Sequence, residues 1–96
     1  MSLKKHRWTE EDDVVAFYLY RFKDNEDIPY SYENIANIRG FSVKSLESAI
    51  LNFMAIDTGK GLKNYAKHQA NTYKKYVDKP KEDMKEIVLK ILSGEI

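Results

Sequence analysis

The sequence predicts an all-α fold of four to five helices around a tri-helical, helix-turn-helix-like core. Three observations lead there. Apolar residues recur at spacings of three and four in several windows, and nowhere is a strand-like alternation sustained. The glycines and prolines fall between those windows, where they punctuate helices. From Ser31 to Phe53 the chain offers a helix, a tight turn centred on Gly40 and a second helix, which is the order of a helix-turn-helix.

The first helix starts after Trp8. Thr9 is its N-cap and Asp12 stands three residues on, a shortened capping box. Glu10, Glu11, Asp12 and Asp13 crowd the first turn, where the helix dipole favours anions. Val14, Phe17, Tyr18 and Phe22 make the buried stripe, and the helix is expected to end near Lys23 or Asp24. Asp24 to Asp27 and Pro29 form a loop.

Ser31 caps the second helix, with Tyr32, Ile35 and Ala36 inward and Gly40 at a left-handed C-terminal position. Ser42 caps the third, whose inward stripe is Val43, Leu46, Ile50 and Phe53. Lys44, Ser48, Asn52 and Ala55 form its opposite face. Gly59 and Gly61 break the chain, and a fourth helix is expected from Leu62 to about Val77. Its inward side carries Leu62, Tyr65, Ala66, Gln69, Tyr73 and Tyr76. Pro80 is placed as an early residue of a last helix that reaches about Leu92 and buries Met84, Ile87, Val88, Ile91 and Leu92. Gly94 closes it.

At 96 residues the chain reads as one domain. Residues 1–7 form a basic arm, 8–57 the tri-helical core, 58–81 a lysine-rich helix and 82–96 the C-terminal helix. The net charge of +1 hides a strong polarity. Residues 8–57 hold four bases against ten acids, whereas residues 58–81 hold seven lysines against Asp78 alone. A near-neutral total therefore leaves room for an anionic partner. With no cysteine and no long apolar run, the expectation is an intracellular, cytoplasmic protein without membrane contact, nucleoid-associated if it binds DNA.

Two likenesses attach to particular residues. Trp8-Thr9-Glu10-Glu11-Asp12, followed by Ile35-Ala36 and a capped third helix, resembles the start of Myb-like or SANT tri-helical domains. That resemblance implies a tryptophan packed between helices and a third helix that enters the DNA major groove. A second likeness spans about residues 8–76: Trp8 to Glu11, Leu19-Tyr20, Ile35-Ala36, Ser45-Leu46, Asn52-Phe53, Ile56-Asp57, Gly61-Leu62, Asn64 and Ala66-Lys67. These look like the helical region ahead of HNH nuclease domains in some bacterial endonucleases, and imply a nucleic-acid-associated module. The nuclease part itself is absent, since His6 and His68 cannot assemble a His-Asn-His constellation.

Catalysis finds little support in the residues. The four consecutive acids at 10–13 point in different directions on a helix, so they cannot act as one carboxylate pair. Thr58-Gly59-Lys60-Gly61 is too short for a phosphate-cradling loop, and neither histidine has metal-ligand spacing. The expectation is a non-enzyme with no cofactor, no metal and no small-molecule substrate.

The expected function is non-catalytic DNA binding. Lys60, Lys63, Lys67, Lys74 and Lys75 would follow phosphates, while Lys44, Ser45, Ser48 and Asn52 would approach base edges. The alternative is a protein-interaction or homodimerisation module, paired through the acidic and basic segments and an apolar centre of Leu51, Met54 and Ala55.

Overall fold

A computed structural model describes residues 8–22, 28–59 and 67–94. They form five helices: α1 (Glu10–Phe22), α2 (Tyr32–Arg39), α3 (Val43–Thr58), α4 (Lys67–Tyr76) and α5 (Lys81–Ser93). The fold is all-α, and none of these helices is long and apolar enough to cross a membrane. The expected residues from Leu62 to Ala66 lie outside the described ones.

The helix ends follow the sequence punctuation closely. Thr9 and Asp12 exchange bonds: the Asp12 N–H donates to Thr9 Oγ1 at 3.3 Å, and the Thr9 N–H to Asp12 Oδ2 at 3.0 Å. Ser31 Oγ accepts from the Asn34 N–H at 3.1 Å, and Ser42 Oγ from the Ser45 N–H at 3.0 Å. Each bond satisfies a donor that the helix leaves open at its start. Gly40 takes φ 85°, so the following N–H, that of Phe41, also reaches back to the Ala36 carbonyl at 3.0 Å and the chain turns at once into α3. Pro80 stands just ahead of α5 as its N-cap, its carbonyl accepting from the Met84 N–H at 3.1 Å.

Packing differs from the expected single stripe in α1. Every residue from Asp12 to Leu19 is buried, because α3, α4 and α5 all pack on this helix. A helix surrounded on several sides must bury more than one face. Phe17 is its aromatic pivot, edge-on to Phe53 of α3 at 5.4 Å and to Tyr73 of α4 at 5.9 Å between ring centroids. In α3 the fully buried positions are Leu46, Ala49, Phe53 and Ala55, while Ile50 is only half-buried. The inward side is thus turned toward Ala49, since α4 covers the flank of α3 that carries Asn52. In α5, Ile87 is half-buried beside the buried Met84, Val88, Ile91 and Leu92.

Trp8 lies outside α1 and stacks flat on Phe41, with centroids 4.7 Å apart and planes 11° from parallel. It thereby fastens the entry to α1 onto the turn between α2 and α3.

Candidate nucleic-acid interface

Lys44, Ser45, Ser48 and Asn52 succeed one another along one flank of α3, and all four line a single open groove. The spacing explains it: positions one, four and eight residues after Lys44 stay on one side of a helix. Ala49 also lines the groove, His68 and Gln69 of α4 contribute to it, and Trp8 completes it. Its volume is about 450 Å³, and among the described residues no carboxylate lines it.

The residues are not equivalent. Asn52 donates through Nδ2 to the Gln69 Oε1 at 3.1 Å, which ties α3 to α4. Gln69 is 4% exposed, so this bond satisfies a buried carbonyl. Ser45 Oγ lies 3.0 Å from Ser42 Oγ as well as being capped through its N–H. Lys44 and Ser48 are exposed. Glu47 is absent from the lining and acts instead on the Tyr32 hydroxyl, which burial, and then the Glu47 charge, pushes above the usual phenol value.

His68 links this groove to a smaller recess of about 180 Å³ between α1 and α4. Its side chain is half exposed, and Nδ1 is paired with Oδ2 of the buried Asp13. Burial pushes the Asp13 carboxyl up from the ordinary value, and the His68 contact opposes that shift. The other Asp13 oxygen, Oδ1, is buried and has no hydrogen-bond partner. Neighbouring Asp12 turns the other way, toward Arg39 of α2. Glu10 takes Lys75 Nζ at 2.8 Å and the Tyr76 hydroxyl at 2.9 Å, which hold its carboxyl below the usual range. The consecutive acids do diverge as a helix requires, and three of the four tie α1 to other helices in addition to meeting its dipole.

The predicted lysines separate into groups. Lys67 and Lys74 are exposed on α4, seven residues apart and so on one side of it. Lys75 stands on Glu10 in the recess beside His68. Lys60 and Lys63 lie outside the described residues. Tyr73 and Tyr76 are half-buried, their hydroxyls donating to Asp57 and Glu10.

Sequence reasoning missed Asp13, His68 and Gln69 as partners of the predicted flank. The periodicity of α4 gave a signal for Gln69, which falls on its inward side. None existed for the Asp13–His68 pair, whose members stand 55 residues apart. Among the described residues no cluster of histidine and carboxylate side chains suits a metal ion.

On the far side of α3, Leu51 and Met54 are 53% and 43% exposed and border a shallow apolar depression with Tyr20, Tyr32 and Ile50. Ala55, expected to share that surface, is buried.

Comparison of the chain with family models, curated proteins and solved structures finds no match.

Proposed function

We propose that this protein is a non-catalytic nucleic-acid-binding module, with DNA as the expected partner. The observation that carries the reading is the groove between α3 and α4. Its lining joins Lys44, Ser45, Ser48 and Asn52 to His68 and Gln69, with no carboxylate among the described residues. Ammonium, hydroxyl and amide groups suit a phosphate backbone and the edges of bases. Exposed Lys67 and Lys74 extend the positive surface along α4.

Fluorescence anisotropy with labelled duplex and single-stranded DNA at two salt concentrations tests this. Binding is expected to weaken with salt at a log–log slope near −0.9 per phosphate contact on duplex. A Lys67→Glu, Lys74→Glu double substitution is expected to flatten that slope. Absence of binding at about 50 mM salt, where non-specific association is strong, overturns the reading.

A second reading, homodimerisation through α3, is favoured by the exposure of Leu51 and Met54 beside an apolar depression. Sedimentation separates the two. A dimer that a Leu51→Glu substitution dissolves, with no affinity for DNA, supports the second reading over the first.

A further inference from the structure

We infer that the groove between α3 and α4 is a phosphoryl-anion subsite, gripped by Lys44 and by a His68 imidazole that Asp13 holds in place. The nucleic-acid reading bears only on the source of the phosphoryl group, a backbone phosphodiester or a free phosphate. The chemistry of recognition is common to both.

The argument starts from Asp13. A carboxylate without exposed surface is costly unless paired, and among the described residues its partner side chain is His68, at Oδ2. Pairing at Nδ1 fixes the ring orientation and leaves Nε2 as the remaining polar atom of the half-exposed imidazole. That ring lines the groove shared by Lys44 and Gln69. Gln69, 4% exposed, gives its carbonyl to Asn52 and so fixes the wall of the groove between α3 and α4. An ammonium and an oriented imidazole border this groove, which among the described residues no carboxylate lines, and together they suit an oxyanion.

From α1 the group facing His68 is Asp13, with Asp12 and Glu10 near enough to act on its carboxyl. From α3 Lys44 lines the same groove, and on α4 itself Lys75 lines the adjoining recess, already paired with Glu10. A protonated ring offers an anion both a positive charge and an Nε2–H donor.

The test uses the full chain with three probes: a short labelled DNA duplex, the same single strand, and inorganic phosphate. Anisotropy reads the oligonucleotides, and imidazole proton resonances read phosphate. Loss of one charged hydrogen bond corresponds to about ten-fold in affinity. His68→Gln is expected to weaken binding by about ten-fold. Because that change also unpairs Asp13, Lys44→Gln at an exposed position serves as the second variant and is expected to weaken binding by a similar factor. Oligonucleotide binding that neither variant alters overturns the subsite and leaves the nucleic-acid reading standing. Phosphate that moves the His68 resonances in a Lys44-dependent way, while no oligonucleotide binds, supports the subsite for a free phosphoryl group and overturns the nucleic-acid reading. No response to any probe overturns both.

Discussion

Arg39 at the end of α2 places its guanidinium Nε 2.6 Å from Oδ1 of Asp12, a carboxylate in α1 with no exposed surface. The same guanidinium reaches the Thr9 hydroxyl through Nη2 at 3.3 Å. One side chain thus serves both the capping box of α1 and the anchoring of α2. Removing the guanidinium takes a charged hydrogen bond from Asp12 while the Thr9 N–H still donates to its Oδ2, and loss of such a bond costs about 1.5–3 kcal/mol. Arg39→Ala is expected to lower the urea midpoint by that amount of stability. Arg39→Lys should fall between, since an ammonium cannot reproduce two donors in a fixed fork.

Asp57 at the end of α3 accepts the Tyr20 hydroxyl of α1 and the Tyr73 hydroxyl of α4, each at 2.5 Å. Those bonds, Tyr20 first, hold its carboxyl below the ordinary 3.8. A carboxyl lowered on folding stabilises above its unfolded value and loses that contribution as the pH falls through the folded one. Asp57→Asn is expected to remove part of the acid-side fall in Tm below about pH 4.

The same cluster acts in the opposite direction at high pH. Burial, and then the bond to Asp57, pushes the Tyr20 phenol up to about 12. A phenol raised on folding contributes fully below its unfolded value of 10.0 and loses that contribution as the pH rises toward the folded one. Tyr32, Tyr73 and Tyr76 are raised as well, and absorbance titration of the phenolates should find a component near 12 in the native protein that is missing in Tyr20→Phe. That variant is also expected to lose part of the alkaline fall in Tm.

Phe53 is fully buried and packs edge-on against Phe17. Phe53→Ala is expected to cost about 3–5 kcal/mol in denaturant unfolding. Leu51→Ala, two residues away on the exposed side of the same helix, should stay within about 0.5 kcal/mol. A large loss at Leu51 would contradict the orientation of α3.

Gly40 makes the turn between α2 and α3 at φ 85°. A Cβ in the left-handed region costs about 1–2 kcal/mol, so Gly40→Ala should lower Tm without altering helix content at low temperature. An unchanged Tm would mean that the turn has another conformation available.

The helix boundaries were legible because the signals that set them are local. Thr9, Ser31 and Ser42 each bond a backbone N–H within three residues, and Gly40, Gly59 and Gly94 each take a positive φ at a helix end. The flank of Lys44, Ser45, Ser48 and Asn52 was legible for the same reason, since helical periodicity alone places those residues together. Burial was harder to read. Ala55 and the polar side of α1 are covered because other helices lie there, and periodicity cannot say how many neighbours a helix acquires. The chemistry of the site depends on pairs remote in sequence: Asp12 with Arg39, Asp13 with His68, and Asn52 with Gln69. The sequence by itself determined the helices and their faces, through caps, turns and spacing. Only the tertiary structure decided which acids are buried and paired and which groove His68 and Gln69 complete. Those outcomes follow from how α2 meets α1 and α4 packs on α1 and α3, placements no short-range signal encodes.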